Sequence, residues 1–426
     1  MFLEKIRSNK FFRSIITLMS GSILAQAITL LASPIMTRLY TEEQIGEYTL
    51  ILTAVTMFGG VVCVRYDISI VSDTEEKNVY ALIKLCLLIS LAISVIAGIG
   101  YAVYYELTNS ISLHPFAVFG WITVLLFLLG VGLLLTSYNN RYKQYKLMSS
   151  AHVERAAGKE IVLVGLGLLH PSTWGLLVSQ LFNSFLGYWR QAIPLWKNRR
   201  ELSEVTGADV CAVAKKHIKQ PLFSVPATFA NSFSYSAINL MVSALYGNIA
   251  LAYYSMSFRM LGVPLQLISV NVSKAFFERA SRDYDKTGRF TKAYLQSSAV
   301  LLAFAVPMVV LLMWLAPWLF EIFFGDGWGV SGVYVQYLAP MFGIRLLVGA
   351  LTPAMTICNK QNVELFVQML FVVAAFAAFL LCRGGADIKA FLLAITVLFS
   401  VIYLLFYLLM LKYSYSSNKK EKVQND

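Results

Sequence analysis

The chain has 426 residues, of which 58% are hydrophobic and 14% charged, with a net charge of +12 and a mean hydropathy of +0.65. Soluble domains carry about 45–50% apolar and about 25% charged residues, so this composition excludes an ordinary water-soluble domain. Recurrent apolar runs of about 20 residues make it an all-α polytopic membrane protein, and its Lys and Arg residues fall mostly in short loops, where the positive-inside rule accounts for them without nucleic acid.

The first span is expected at about Ser14 to Leu39. Lys5, Arg7, Lys10 and Arg13 precede it, and Ala25-Gln26-Ala27 mimics a signal-peptidase site. The run stays apolar to Met36, however, where a signal peptide would give way to polar sequence, so an uncleaved membrane helix is expected. The second span is expected at about Ile45 to Val71 and the third at about Val79 to Tyr105, joined by a polar link from Ser72 to Lys77. The fourth covers about Ser112 to Ser137, before the basic segment Arg141 to Lys146. In the fifth, the apolar part Ile161 to Leu169 is too short to cross alone. A helix starting near Ser149 would carry His152, Arg155 and Lys159 on one face, as a headgroup-facing basic face or as a patch at a cavity mouth. The sixth span, about Thr173 to Trp196, leads into the longest polar linker, Lys197 to Gln220.

The stretch from Thr228 to Ser273 reads as the seventh and eighth spans, joined at Leu245-Tyr246-Gly247-Asn248. Each carries a polar stripe at helical spacing: Thr228, Ser232, Ser236, Asn239 and Ser243 on one, and Ser255, Arg259, Gly262, Gln266, Ser269 and Ser273 on the other. The first span has a matching stripe of Ser22, Gln26, Thr29, Ser33 and Thr37. An arginine at a helix centre costs roughly 2.5–3.5 kcal/mol to insert, so Arg259 points to a polar, protein-lined cavity that holds an anion. Bonding between neighbouring helices is the other use for such stripes. A charged loop is expected from Arg279 to Lys292. The remaining spans are expected at about Ala293 to Pro317, Val330 to Ile357, Val363 to Cys382 and Ile388 to Leu411. Arg345 lies mid-span, and Arg65 lies near a span end beside Asp67. Pro226, Pro264, Pro307 and Pro353 interrupt spans as kinks or hinges.

With the N-terminus inside and about twelve spans, nearly all basic residues fall on the inner side, leaving Arg38, Arg383 and Lys389 outside. Both termini are therefore expected in the cytoplasm. Leu39-Tyr40 followed by Ile45-Gly46-Glu47-Tyr48 parallels Leu245-Tyr246 followed by Ile249-Ala250 and Tyr253-Tyr254, which marks a parallel repeat. The expected organisation is a six-helix lobe over 1–196, a cytoplasmic linker over 197–220, a second six-helix lobe over 221–412 and a cytoplasmic tail over 413–426, with a central cavity where the striped helices meet. Five scattered cysteines and four histidines form no paired or ligand motif, and no phosphate-binding loop is present. No metal, cofactor or catalytic residue is expected.

Gly21-Ser22, Ala25-Gln26, Pro34 through Arg38-Leu39-Tyr40-Thr41, Ile45-Gly46-Glu47-Tyr48, Arg65-Tyr66-Asp67 and the Tyr253 to Pro264 stretch with Arg259 together resemble the polysaccharide (Wzx-type) flippases, in the superfamily that also holds the multidrug MATE exporters. The resemblance implies an inner-membrane translocator of undecaprenyl-pyrophosphate-linked oligosaccharide for O-antigen, capsule or another surface polysaccharide. The lipid-linked oligosaccharide and the bilayer are then its partners, with a polymerase and chain-length regulators as further ones. On the residues themselves, guanidinium forks suit pyrophosphate oxygens. Arg259, Arg345, Arg65, Gln26, Asn239, Gln266, Arg155 and Lys159 are the candidate substrate-binding residues, and Asp67 is the candidate coupling residue. A MATE-like exporter of small cations remains a rival, although it should want buried carboxylates. A membrane glycan polymerase or ligase remains another, although such enzymes usually carry a long periplasmic loop.

Overall fold

The computed structural model describes residues 10–108, 111–358 and 360–415, and no strand occurs among them. Lys5, Arg7 and the tail residues Lys419, Lys420 and Lys422 lie outside the described residues. The helices are α1 (Lys10–Leu39), α2 (Glu42–Gly59), α3 (Tyr66–Ser72), α4 (Glu76–Thr108), α5 (Pro115–Arg141), α6 (Tyr145–Leu169), α7 (Thr173–Lys197), α8 (Arg199–Glu204), α9 (Gly207–Lys216), α10 (Lys219–Pro264), α11 (Val270–Thr287), α12 (Thr291–Phe324), α13 (Gly329–Leu351), α14 (Pro353–Ile357), α15 (Gln361–Cys382) and α16 (Ile388–Tyr415). A helix satisfies its backbone within one segment, which is what hydrocarbon demands.

Eight stretches of the described residues are long and apolar enough to cross a membrane, and one of them, Ser224–Thr287, holds both the seventh and the eighth expected spans. The second, fifth and sixth spans are less apolar. The fifth carries Arg155, Lys159 and Glu160, and the sixth is interspersed with Ser, Gln and Asn. α1 passes unbroken through Ala25-Gln26-Ala27. The joint between the seventh and eighth spans falls at Gly247, whose φ of 82° and ψ of 176° break α10 where expected.

Two expectations need correction. The second span is not one helix: α2 stops at the Gly59-Gly60 pair, and the chain turns through Val64 (φ 49°) and Arg65 (φ 62°) before α3 resumes. The charged loop from Arg279 to Lys292 is mostly helix. α11 continues to Thr287 because Phe276 and Ala280 are buried along one face, Arg282 pairs with Glu278 at 2.7 Å, and Gly288 supplies a left-handed C-cap. The polar linker likewise holds α8 and α9, the latter started by a capping box between Thr206 and Asp209. The tenth span runs from Gly329 to Ile357 as expected, interrupted at Thr352 before Pro353, a residue with no N–H to give.

By contact the chain divides into Met1–Ala252 and Tyr253–Asp426, downstream of the boundary expected at the linker. The reason is that the first part of α10 packs on α2. Within the first unit α1 packs on α6, α6 on α7, and α4 and α7 on α5; within the second, α13 packs on α12 and α16, and α15 on α16. Buried hydroxyls bond across these contacts, as Tyr105 does to the Leu50 carbonyl (2.7 Å), Ser257 to Ser331 (2.7 Å) and Thr396 to Tyr337 (2.9 Å). Large apolar side chains point outward; Trp314, for example, is 87% exposed. That arrangement is stable only in a lipid solvent.

The linker is fastened to the α3–α4 turn and α4. Lys77 pairs with Asp209 at 2.7 Å, Lys84 donates to the Val205 carbonyl at 2.7 Å, and Tyr66 donates to the Ala214 carbonyl at 3.1 Å. At the centre sits Asp73, its side chain fully buried, within 2.8 Å of His217 Nε2 and 3.0 Å of Lys216 Nζ, while Arg141 donates to its carbonyl. Burial alone would raise this carboxyl. Hydrogen bonds from the Glu75 N–H, His217, Lys216 and Asn78 outweigh it and hold the group well below the usual carboxylate range.

A carboxyl depressed in this way contributes its stabilisation above its unfolded pKa of about 3.9 and loses it only as the pH falls through the lower folded value. Linker docking should therefore hold unchanged from pH 7 to about 4. Asp73→Ala should cost about 1.5–3 kcal/mol of that docking, and limited trypsin digestion of membrane vesicles should then cleave faster after Lys215 and Lys216. Equal cleavage of variant and wild type would show that Asp73 does not hold the linker.

Candidate functional site

The candidate residues fall into separate groups. In the first unit, the stripe on α10 is engaged by α2. Asn239 Nδ2 donates to Thr53 Oγ1 at 3.0 Å, the Ser236 and Thr56 hydroxyls lie 3.5 Å apart, and a Cβ on Gly60 would come within 2.9 Å of the Thr228 methyl. One turn beyond, Ser243 donates to Asn248 Oδ1 at 2.8 Å. A Cβ on Gly46 would fall 2.1 Å from the Asn248 carbonyl oxygen, so only glycine allows the start of α2 to meet the Gly247-Asn248 joint. The two repeat joints recognised in the sequence thus touch one another.

On α1, Gln26 is half-buried, while Ser33 and Thr37 are buried and bond to the carbonyls of Thr29 and Pro34 in their own helix. The lower half of that stripe therefore serves local hydrogen bonding and packing. Glu47, which the sequence reading quoted only within a motif, is a buried carboxylate that accepts from the Ser112 N–H and the Thr173 hydroxyl, both at 2.7 Å. It ties the start of α2 to the residues before α5 and to the start of α7. Its signal was faint, because a glutamate near the start of a helix, five residues on from Glu42, is ordinary.

Arg65 and Asp67 flank the break between α2 and α3. Arg65 Nε and Asp67 Oδ1 are buried with no hydrogen-bond partner, as is the neighbouring Ser69 hydroxyl. The basic face of α6 is used differently. Arg155 donates to the Asn183 carbonyl at 2.7 Å and lies over the Tyr188 ring at 4.5 Å, and Lys159 pairs with Glu160 at 3.2 Å, both nearly buried. The Arg155 contacts hold α6 against α7, whereas the Lys159–Glu160 pair lies within α6.

In the second unit, the Arg345 guanidinium lies 5.5 Å from the Phe258 ring and 5.3 Å from the Phe342 ring. Aromatic faces stabilise a cation where water is scarce. Arg259 follows Phe258 directly and is half-buried. Gln266 is exposed, on the π-helical turn Leu265–Ser269 that follows Pro264. The structure thus brings Arg345 to the residue beside Arg259 and joins Asn239 to Thr53, while Arg155 and Lys159 stand apart on α6.

Residues 116–332 match the family described as polysaccharide biosynthesis protein. Among solved structures, the chain is similar to the lipid II flippase MurJ in an inward closed conformation (12% identity over 94% of this chain and 90% of that one, TM-score 0.71). It is also similar to a multidrug resistance MATE family transporter of the MOP superfamily in an inward-facing conformation (13%, 94% and 99%, TM-score 0.69) and to a MOP superfamily transporter from Pyrococcus furiosus (14%, 94% and 95%, TM-score 0.59). No curated protein matches the chain. At these identities the likeness carries the fold, that of multi-pass membrane transporters.

The contact between α2 and α10 can be tested directly. In a Thr53→Cys/Asn239→Cys double variant, thiols in place of atoms 3.0 Å apart should crosslink with a short bifunctional reagent in native membranes, and neither single variant should. Failure of the double variant to crosslink would separate these two faces.

Proposed function

The chain belongs to the polysaccharide biosynthesis protein family, and from that premise we propose that it flips oligosaccharide units linked to undecaprenyl pyrophosphate across the bacterial inner membrane, by alternating access of two six-helix lobes over 1–196 and 221–412. The cargo serves an O-antigen, capsule or similar surface polysaccharide, and a polymerase and chain-length regulators act downstream. The linker and both termini face the cytoplasm. The chain is a transporter and not an enzyme.

The observation that carries this reading is the arginine pair of the second unit. Arg259 and Arg345 sit in helices that are otherwise apolar, and the guanidinium of Arg345 is flanked by Phe258 and Phe342. A lipid pyrophosphate bears about two negative charges and several acceptor oxygens, which guanidinium forks match in geometry and sign. Gln266, exposed on the π-helical turn of the same unit, adds a neutral donor and acceptor suited to sugar hydroxyls. Binding in a site of low dielectric strengthens each charge contact.

A small-molecule exporter driven by an ion gradient is the second reading. The observation in its favour is Asp67, buried with an unpartnered oxygen beside the strained turn at Arg65. Asp67→Asn should lower transport through gating while leaving its gradient dependence in place. Complete uncoupling in a well-expressed variant would favour the exporter.

Translocation of pyrophosphate-linked glycan per unit of folded protein should rank wild type above Arg259→Lys, then Arg259→Ala, then Arg259→Glu. Lysine keeps the charge without the fork. Alanine removes the contact, at a loss of about 100-fold if the charge-assisted bonds carry close to 3 kcal/mol. Glutamate sets like charges together. An Ala variant with normal protein level and near-normal transport would end the assignment. Orientation is tested by the native thiol Cys211, exposed on α9 in the linker, whereas Cys63, Cys86 and Cys382 are buried. A membrane-impermeant maleimide should label Cys211 in inside-out vesicles and leave it unlabelled in intact cells; the reverse result would invert the topology.

A further inference from the structure

The first unit holds a cavity whose lining residues are not those of the arginine site. It is a groove of about 670 Å³ between α2, α4 and the first half of α10, and no charged side chain lines it. Phe58 and Val64 form one wall, Ile96 and Gly100 a second, and Phe229 and Phe233 the third. The Phe58 and Phe229 rings stand 5.5 Å apart and those of Phe229 and Phe233 5.7 Å apart. Ile96 is 70% exposed, so the groove opens sideways onto the surface that meets lipid. A Cβ added at Gly100 would meet no atom within 4 Å, which leaves a notch in the wall. The volume suits a small organic ligand, and the occupant must be apolar.

One end of the groove differs from the other. α2 runs towards the α3–α4 turn, α4 starts from that turn, and α10 starts from the linker docked on it, so Val64 marks the linker end. The next residue is Arg65, held at φ 62°, with its Nε buried and without a hydrogen-bond partner. An apolar channel whose lining ends at Val64, next to a half-buried arginine with one unpartnered nitrogen and with Asp67 two residues on, is complementary to an amphiphile with an anionic head and a hydrocarbon tail.

We propose that this groove seats the isoprene units next to the head of a polyisoprenyl pyrophosphate, with Arg65 meeting the pyrophosphate at the linker end. This rests on the proposed function and extends it: the carrier lipid has a holding site on the first unit, apart from Arg259 and Arg345. In the proposed orientation the linker end is cytoplasmic, so this is where the substrate is loaded.

The test uses the full chain in phospholipid nanodiscs and a short polyisoprenyl diphosphate bearing a diazirine on its second isoprene unit, with the matching prenyl alcohol as control. Mass spectrometry should place the adducts on peptides covering Ile93 to Tyr104 and Val225 to Leu240. Gly100→Leu, whose side chain enters open space, should lower labelling about tenfold with thermal stability unchanged. Arg65→Gln should lower labelling by the diphosphate by a similar factor and leave labelling by the alcohol as it was. Adducts elsewhere, labelling unmoved by Gly100→Leu, or equal labelling of the groove by a diazirine phospholipid would overturn the proposal, the last by making the groove a seat for bulk lipid. Specific labelling in a protein that moves no lipid-linked glycan would retain the groove and discard the flippase reading. Full transport by Gly100→Leu with unmoved labelling would do the reverse.

Discussion

Hydrocarbon offers the backbone no hydrogen-bond partners, so every departure from helix within a span must be satisfied or shielded by the protein itself. This constraint orders the whole molecule. The chain leaves regular α-helix at residues 60–65, at Gly247, at the π-helical turn Leu265–Ser269 and at Thr352. Each break has a local cause: a Gly-Gly pair and two left-handed residues, a glycine at positive φ, and two prolines without an N–H. The turn after Pro264 is the register change that relieves a missing donor. Three of the candidate residues lie at these breaks: Arg65 and Asp67 at the end of the first, and Gln266 in the π-helical turn.

Polar residues in the spans have two fates. Thr53 with Asn239, Ser236 beside Thr56, and Arg155 against Asn183 and Tyr188 join one helix to another and so assemble the transporter. Arg65 and Arg345 are placed otherwise. One has a buried nitrogen with no partner, and the other is set between two aromatic rings. Residue type does not separate these fates, since Arg155 and Arg345 are the same side chain. What fixes the role of Arg155 is the Asn183 carbonyl that the neighbouring helix brings within its reach.

Helix positions were legible in the sequence because lipid makes hydropathy a direct record of location. The starts of α5, α7, α15 and α16 fall within about three residues of expectation. The Gly247 joint was also legible, since a Gly-Asn pair between two apolar runs is turn chemistry. The helical end of α11 was not, because its charged residues read as loop while Phe276 and Ala280 supply a buried face that composition hides. Glu47 was missed for a related reason: a helix-start glutamate and a buried clamp on Ser112 and Thr173 look alike until the partner segments are in place.

By itself the sequence determined that this is a multi-pass α-helical membrane protein, where most of its helices lie, and that arginines stand in apolar surroundings. Those properties depend on local composition and spacing, which a single chain displays in full. Only the tertiary structure decided that the stripe on α10 meets α2, that Gly46 admits the Asn248 backbone, that Arg155 is a helix staple, and that an apolar groove ends at Arg65. Each of these depends on which faces of distant helices come together. In a lipid solvent, where apolar faces gain little from hiding, that choice rests on small residues and hydrogen bonds scattered across the chain.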